Sequence, residues 1–192
     1  ILDLLHVKPD GNFEAWARKT RYEFFNKVAA KNNAKAVLVA HQQDDLIETY
    51  LMQKKRGNFV KNWGIAEKTS IFGTTIIRPL LKFTKAELTN YCVQNRVPFS
   101  IDKTNLTDDY ERNKIRHNIV AKMGKEKRRE TILDIDAKNR YIDSRDSYLN
   151  SLDLHVVENL KPLDDEYLAV GLNIMVRRVD PVASVSMTLA QE

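Results

Sequence analysis

The stretch Val-Leu-Val-Ala-His-Gln-Gln-Asp-Asp-Leu-Ile-Glu-Thr-Tyr-Leu, residues 37–51, decides the predicted fold because a strand-like run passes directly into a helix-like run. Residues 36–40 are five apolar residues with two β-branched valines, which is typical of a short strand buried on both faces in a parallel sheet. Residues 44–52 carry acids in the first turn and apolar side chains at helical spacing, which predicts a helix.

Three polar side chains, His41, Asp45 and Glu48, lie where this strand ends and the helix begins. Their i, i+4 and i+7 spacing allows them to share one face. Open α/β sheets bind ligands outside the carboxyl ends of their strands, so this junction is a candidate site. The alternative is structural, because acids at a helix N-terminus stabilise the helix dipole by about 0.3–1 kcal/mol each and a histidine can cap.

The rest of the chain alternates between helical and extended patterns, which predicts an α/β fold with a parallel sheet followed by a smaller helical region. Helices are predicted at residues 12–32, 44–55, 84–94, 126–155 and 164–177, a hairpin at 70–77 and a brief strand at 97–101. Thr84 and Glu87 form a predicted capping box, and Gly57 ends the second helix. The buried positions predicted in the long helix are Ile132, Leu133, Ile135, Tyr141 and Ile142.

Length and composition exclude several classes of protein. A chain of 192 residues is one domain, or one domain with a small appendage. The single cysteine, Cys92, excludes a disulfide framework and a CxxC metal site, and it fits a reducing cytoplasm. No apolar run approaches about 18 residues, so no membrane association is expected. Because Ile1 begins a sequence that reads as mid-domain, we expect upstream residues to be missing from the chain.

Positive charge is concentrated between residues 112 and 129. This segment holds eight Lys or Arg residues against the single acid Glu126, a net charge of +7 in a chain whose net charge is +5. Such a basic segment on a nearly neutral body predicts a phosphate-rich partner. The alternative is a solvated helix face.

Five short segments occur in an order and spacing that resemble one family. They are Ala-Arg-Lys-Thr-Arg-Tyr (17–22), His-Gln-Gln-Asp-Asp-Leu-Ile-Glu-Thr (41–49), Arg-Pro-Leu-Leu (78–81), Asp-Lys-Thr-Asn (102–105) and Arg-Asn-Lys-Ile-Arg-His (112–117). The set resembles the tRNA(Ile)-lysidine synthase family of N-type ATP-pyrophosphatases over about residues 12–120. The resemblance implies a Rossmann-like, adenine nucleotide alpha hydrolase-like fold, with residues 1–120 as the catalytic domain and 121–192 as a helical tRNA-contacting region.

Two departures from the family pattern stand out. The Ser-Gly-Gly-x-Asp-Ser phosphate loop that family members carry upstream of the His-x-x-x-Asp motif is absent, and Gly11 is the only glycine before His41. We expect that this loop lies in omitted upstream residues. Asn-Trp-Gly-Ile (62–65) also stands where a glycine-rich loop is usual.

The resemblance implies a two-step reaction with ATP and Mg²⁺. ATP adenylates the C2 carbonyl oxygen of the wobble cytidine in isoleucine tRNA with a CAU anticodon, and the ε-amine of free L-lysine then displaces AMP. Asp45 is expected to accept the amine proton, or alternatively to bind Mg²⁺, and Glu48 to position the lysine. His41 and Arg21 would stabilise charge around the activated cytidine.

Further residues are assigned to substrates by the same resemblance. The predicted substrate-binding residues are Arg78, which would frame the lysine pocket, Asp102 and Asn105. The predicted tRNA-binding residues are Arg112, Arg116, Lys122, Lys125, Lys127, Arg128 and Arg129. For Arg116 the alternative is a structural ion pair with Asp102 or Asp109.

Three other functions compete with this prediction. A sister tRNA-modifying ATP-pyrophosphatase that delivers sulfur through an iron–sulfur cluster needs more cysteines than Cys92. A metal-dependent phosphohydrolase needs further metal-binding histidines, and His6, His117 and His155 lie in no matching context. A non-catalytic RNA-binding module would explain the missing phosphate loop.

Overall fold

The computed structural model describes residues 13–57, 59–100 and 111–179. The helices are α1 (Phe13–Lys31), α2 (Gln43–Arg56), α3 (Lys85–Gln94), α4 (Glu111–Asn118), α5 (Lys125–Ser151), α6 (Val157–Leu160) and α7 (Asp165–Val179), with a 3₁₀ turn at Val120–Lys122. The strands are β1 (Val37–Leu38), β2 (Lys68–Ile71) and β3 (Thr74–Ile77). The described part is therefore an α/β structure, as predicted.

The three strands form one mixed sheet in the order β1-β3-β2. β1 lies parallel to β3, with Val37 opposite Ile76, and β2 and β3 form an antiparallel hairpin. The hairpin and the presence of parallel strands were predicted, although not which strands pair. The hairpin turn uses Phe72 and Gly73, which have φ angles of 49° and 78°. The carboxyl ends of the parallel strands β1 and β3 therefore lie at the same edge of the sheet.

β1 differs from the predicted strand in length and burial. Only Val37 and Leu38 are assigned to the strand, although the amide of Val39 still donates to Ile77 O at 2.9 Å. The prediction that both faces are buried is wrong, because Leu38 is 69% exposed. The reason is topological: among the described strands β1 pairs only with β3, at the edge of the sheet.

α1 is attached to the hairpin by one asparagine. Asn26 Nδ2 donates to the carbonyl of Phe72 at 2.9 Å, and Asn26 Oδ1 accepts from the Thr74 hydroxyl at 2.8 Å. Tyr22 and Ala29 on the same helix are buried. Both polar ends of Asn26 are thus satisfied, which orients α1 against the sheet and fixes the position of its arginines.

α2 ends at Gly57, as predicted, because the glycine takes a left-handed conformation with φ 63°. The loop that follows packs back on the helix. Gln53 Nε2 donates to Asn62 O at 3.0 Å and Gln53 Oε1 accepts from Gly64 N at 2.6 Å. At Gly64 the φ angle is +70° and a Cβ atom would lie 2.5 Å from a Leu46 methyl, so this position requires glycine.

Of the remaining predictions in the first part of the chain, one is confirmed and one is wrong. The capping box of α3 is confirmed, because the Thr84 hydroxyl accepts from Glu87 N at 3.2 Å and Glu87 accepts from Thr84 N at 2.7 Å. The strand predicted at 97–101 is wrong over residues 97–100, which carry no strand, and residue 101 lies outside the described residues. The predicted cap Asn12 also lies outside them.

The described chain divides into two compact units, with the boundary between Arg128 and Arg129. The second unit has its own core, in which Leu149, Leu154 and Val170 are buried. Of the positions predicted as buried, Ile135 and Ile142 are buried, whereas Leu133 is 54% and Tyr141 48% exposed. Those two were wrong because a long helix buries only the stripe that faces its neighbours. Ile132 is half-buried.

The predicted assignment of residues 1–120 to catalysis and 121–192 to tRNA contact stays a prediction. None of the described helices combines the length and the apolar character needed to cross a membrane.

Candidate active site at the start of helix α2

The start of α2 is fixed by a reciprocal cap. Gln42 Oε1 accepts a hydrogen bond from Asp44 N at 2.8 Å, and Asp45 Oδ2 accepts one from Gln42 N at 3.0 Å. A capping interaction of this kind stabilises a helix by roughly 1 kcal/mol. The alternative that the acids stabilise the helix start is thus correct for one carboxylate oxygen of Asp45, which caps the helix. The other oxygen is available for a second contact.

Glu48 is completely buried and is held between two arginines of α4. Its carboxylate accepts from Arg112 Nε at 2.8 Å, from Arg116 Nε at 2.7 Å and from Arg116 NH2 at 3.0 Å. The exposed fraction of the Glu48 side chain is 0%. The Glu48 pair holds the pKa of the Arg116 guanidinium above its ordinary value. A buried carboxylate requires such partners, because burial of an unpaired charge costs several kcal/mol.

The two aspartates of α2 also face arginines. Asp45 Oδ1 accepts from Arg112 NH2 at 2.9 Å, and Asp44 accepts from Arg128 NH1. Arg128 also donates to Val120 O at 2.9 Å, which ties the 3₁₀ turn to the same group. We call these six residues the ion-pair cluster: Asp44, Asp45, Glu48, Arg112, Arg116 and Arg128.

The ion-pair cluster joins the start of α2 to α4 and to the first turn of α5. Its three carboxylates match its three guanidinium groups in charge. Further along, Lys55 pairs with Glu111 at 2.6 Å, so the order of the pairs indicates that α2 and α4 run antiparallel. The signal was present in the sequence: Asp45 and Glu48 lie one helical turn apart, and so do Arg112 and Arg116.

The cluster changes the roles open to several predicted site residues. Arg116 forms a structural ion pair with Glu48; the predicted partners Asp102 and Asp109 lie outside the described residues. Glu48 was predicted to contact the substrate lysine, and here its carboxylate accepts from the half-buried Arg112 and Arg116. Its catalytic role, like the tRNA-binding roles of Arg112, Arg116 and Arg128, stays a prediction.

His41 is half-buried and is held by Arg78. Arg78 Nε donates to His41 Nδ1 at 3.1 Å, while Arg78 NH1 donates to Ala66 O at 2.7 Å and to the Thr69 hydroxyl at 3.1 Å. Arg78 is only 3% exposed. Arg78 was predicted to frame the lysine pocket, whereas its described contacts are with His41, Ala66 and Thr69. Its substrate-binding role stays a prediction.

The environment of His41 favours the neutral imidazole. Burial lowers the pKa of His41 below its ordinary value, Asp45 acts in the opposite direction, and the positive charges of Arg78, Arg112 and Arg18 lower it further. His41 and Asp45, which were predicted to lie together, therefore interact electrostatically at the carboxyl end of β1.

Two arginines of α1 lie in the motif near His41. Arg18 and Arg21 are both exposed, and of the two the charge of Arg18 lowers the pKa of His41. Arg18 also stacks over Tyr22 at 5.1 Å from the ring centre, one turn along the helix. Sequence reasoning missed Arg18, although it lies in the same Ala-Arg-x-x-Arg-Tyr motif. The role of Arg21 stays a prediction.

The lysines of the basic segment point to solvent. Lys122, Lys125 and Lys127, which all belong to the first unit, are exposed, as is Arg129 in the second unit. Asp102 and Asn105 lie outside the described residues.

The described acids do not fit a Mg²⁺ site. Mg²⁺ prefers carboxylate and water oxygens in an octahedral arrangement. Asp44, Asp45 and Glu48 each spend oxygens on guanidinium or backbone donors, and within the ranges described no group of three His, Cys, Asp or Glu residues could hold a metal. The alternative role of Asp45 as a Mg²⁺ ligand stays a prediction.

Comparison with known proteins identifies the family. The sequence model of a family described as "PP-loop domain" matches residues 4–123 of this 192-residue chain. The chain belongs to the PP-loop domain family. The match includes α1, the sheet, α2 and α4, and thus every described residue of the candidate site except Arg128.

Several curated relatives of this PP-loop domain share one name. A tRNA(Ile)-lysidine synthase of Mesoplasma florum is 34% identical over 176 residues, which are 88% of this chain and 43% of the relative. Proteins with the same name from Mycoplasma mycoides and Mycoplasmopsis pulmonis are 41% and 39% identical over 60% and 64% of the chain, and 30% and 43% of their own lengths. The chain thus spans less than half the length of these relatives.

Proposed function

We propose that this PP-loop domain is the catalytic part of a tRNA(Ile)-lysidine synthase. ATP activates the C2 position of the wobble cytidine in isoleucine tRNA with a CAU anticodon, and lysine replaces the AMP. The names of the relatives support the substrate, and one structural observation supports the chemistry: at the carboxyl end of β1, His41 is held by Arg78 and Asp45 by Arg112, and the Asp45 charge acts on the pKa of His41. We also propose that the complete sheet is Rossmann-like and parallel, which the β1–β3 pair supports.

The reaction needs two charge-handling steps. In the first, the cytidine O2 bonds to the α-phosphorus of ATP and pyrophosphate leaves. In the second, the lysine amine bonds to C2, the amine loses a proton and AMP leaves with the O2 oxygen. A free lysine amine has a pKa near 10.4, so its deprotonation at pH 7 costs roughly 4.6 kcal/mol.

We assign the amine proton to Asp45. Its side chain is 17% exposed, whereas that of Glu48 has no exposed surface, so Asp45 is the member of the pair that can meet a substrate. The Arg112 contact and the helix cap fix the direction of this carboxylate before lysine arrives. Glu48 then acts through Arg112 and Arg116, as a positioning residue.

We assign the phosphate charge to His41 and the arginines of α1. Arg18 and Arg21 lie on one helix three residues apart, and Arg18 already acts electrostatically on His41. Mg²⁺ bound to the phosphates of ATP belongs to the proposed reaction, but the described residues hold no site for it. A cytoplasmic location is proposed on the single cysteine, Cys92, which fits a reducing compartment.

We assign tRNA binding to Lys122, Lys125 and Lys127, because their ammonium groups are exposed and can reach phosphates. Arg112, Arg116 and Arg128 are paired with the carboxylates of α2. They would therefore contribute to tRNA binding by orienting the surface that carries the lysines.

The experiment that tests the function supplies the full-length protein with ATP, lysine and a tRNA(Ile) transcript and measures AMP. We expect AMP only when lysine and tRNA are both present, and no AMP from a control transcript in which the target cytidine is replaced by uridine. Binding of the transcript without AMP formation would favour the RNA-binding alternative and overturn the proposal.

A further inference from the structure

Arg78 is a buried charged residue that contacts the predicted catalytic residue His41. Among the described charged residues that contact a predicted catalytic residue, only Glu48, which is itself bound by arginines, is less exposed. Arg78 is 3% exposed, and its guanidinium group is anchored through NH1 to Ala66 O and the Thr69 hydroxyl. The same guanidinium presents Nε–H to His41 Nδ1 at 3.1 Å. Three contacts on a planar, rigid fork leave the group little freedom to turn away from the histidine.

The chemistry of this contact determines where the histidine proton lies. A guanidinium group has only donors and does not lose its proton in proteins. Nδ1 of His41 must therefore offer a lone pair, and a neutral imidazole with its lone pair on Nδ1 carries its proton on Nε2. A proton on Nδ1 would place two N–H groups against each other.

We infer that Arg78 is a positioning residue that holds His41 as the neutral imidazole with its proton on Nε2, so that His41 acts as a hydrogen-bond donor and not as a proton acceptor. This inference rests on the proposed function for its consequence in catalysis. It also changes the predicted role of Arg78 from framing the lysine pocket to fixing the histidine.

The consequence is a division of labour between two neighbouring groups. An Nε2–H donor can stabilise negative charge on an oxygen, such as a phosphate oxygen of the leaving AMP. It cannot accept the amine proton, which leaves Asp45 as the acceptor. The two titratable groups thus have separate tasks, and each is held by a different arginine: His41 by Arg78 and Asp45 by Arg112.

The charged groups around His41 give the experiment its controls. Asp45 favours the imidazolium, while Arg78, Arg112 and Arg18 disfavour it. Among the contacts described, Arg78 alone donates to the ring, so Arg18 provides a cation that acts on His41 through charge only.

The test uses NMR of the histidine side chain in the free protein. A long-range proton–nitrogen correlation spectrum identifies the protonated ring nitrogen, and a titration gives the His41 pKa; the His41→Gln variant assigns the signal. In Arg78→Met we expect protonation at Nδ1 to become accessible and the His41 pKa to rise by about 1. Arg78→Lys, which still carries a donor-only cation, is expected to stay close to wild type.

Two further variants keep the test decisive. Arg78→Gln, whose amide can accept as well as donate, is expected to raise the His41 pKa as Arg78→Met does, and it replaces that variant if the methionine protein does not fold. Arg18→Met is expected to raise the pKa less, with the Nε2 proton unmoved. An unchanged proton position and pKa in both Arg78→Met and Arg78→Gln would overturn the inference.

Activity supplies the link to function. In Arg78→Met, AMP formation should fall at pH values above the His41 pKa, because the neutral ring can then carry its proton on Nδ1 and present no donor at Nε2. The Arg78→Lys variant should recover wild-type AMP formation at those pH values. If the wild-type protein makes no AMP, the proposed function fails, while the NMR result still decides whether Arg78 sets the proton.

Discussion

Residues 112–128 contain two kinds of cation that behave in opposite ways. Arg112, Arg116 and Arg128 point inward and meet the carboxylates of α2, whereas Lys122 and Lys125 point outward into solvent. An arginine has a planar fork that pairs with a carboxylate through two bonds and is weakly hydrated, while a lysine ammonium is strongly hydrated. The lesson is that the charge of the segment overstates what is available to RNA, because part of it is neutralised internally.

The largest expected effect comes from removing the acid at the centre of the inward group. Glu48→Gln replaces the completely buried carboxylate that accepts from the half-buried Arg112 and Arg116, and we expect the free energy of unfolding to fall by about 3 kcal/mol. Denaturant unfolding followed by circular dichroism measures this. The matched control is Glu111→Gln, which removes an exposed acid paired with Lys55 and should leave the unfolding midpoint nearly unchanged. Equal midpoints for the two variants would contradict the inward role.

A second change separates arginine from lysine at one position. Arg116→Lys keeps the charge but loses the two-nitrogen contact with Glu48, and the loss of one charged hydrogen bond costs about 1.5–3 kcal/mol. The reverse exchange at an outward position, Lys125→Arg, should not change stability. A stable Arg116→Lys protein would mean that the charge of Arg116, and not its geometry, supports Glu48.

A third change addresses the outward lysines. In the triple variant Lys122→Gln, Lys125→Gln and Lys127→Gln we expect weaker binding of the tRNA transcript and a shallower dependence on salt. Each lost phosphate contact reduces the slope of log K against log salt by about 0.7–0.9. The control replaces three exposed lysines elsewhere, Lys31, Lys61 and Lys68. An equal loss of tRNA binding in both triple variants would mean that Lys122, Lys125 and Lys127 contribute only nonspecific positive charge.

The smallest expected effect is a pH dependence of stability. The folded state lowers the pKa of His41, so the unfolded chain binds the proton more tightly. Stability from this group is therefore complete above the ordinary histidine pKa of about 6.5 and declines as the pH falls through the folded-state value. Unfolding curves from pH 8 to pH 5 should show a shallower decline in His41→Gln. An identical decline would assign the dependence to other groups.

The sequence predicted local elements well where the signal was local. Gly57 ended α2, Thr84 and Glu87 capped α3, and the turn at Gly73 closed the hairpin, because each depends on a few adjacent residues. The burial of Leu38 was predicted wrongly, since exposure depends on which strands are neighbours and not on the strand itself.

The candidate site was predicted in part for the same reason. The juxtaposition of His41 and Asp45 follows from one strand–helix junction, which the sequence contains. The partners that define their chemistry, Arg78 and Arg112, are 37 and 67 residues away along the chain. Spacing within one helix cannot show such contacts, so the burial of Glu48 between two arginines could not be predicted from it.

The most direct test of the account is the first turnover of the Asp45→Asn protein. Pyrophosphate release reports activation of the cytidine, and incorporation of radioactive lysine into tRNA reports the transfer. We expect pyrophosphate release to persist and lysine incorporation to fall by about 10²–10⁴-fold, because asparagine retains an oxygen that can cap α2 but cannot take the amine proton. Lysine incorporation at the wild-type rate would contradict the central claim that Asp45 receives that proton.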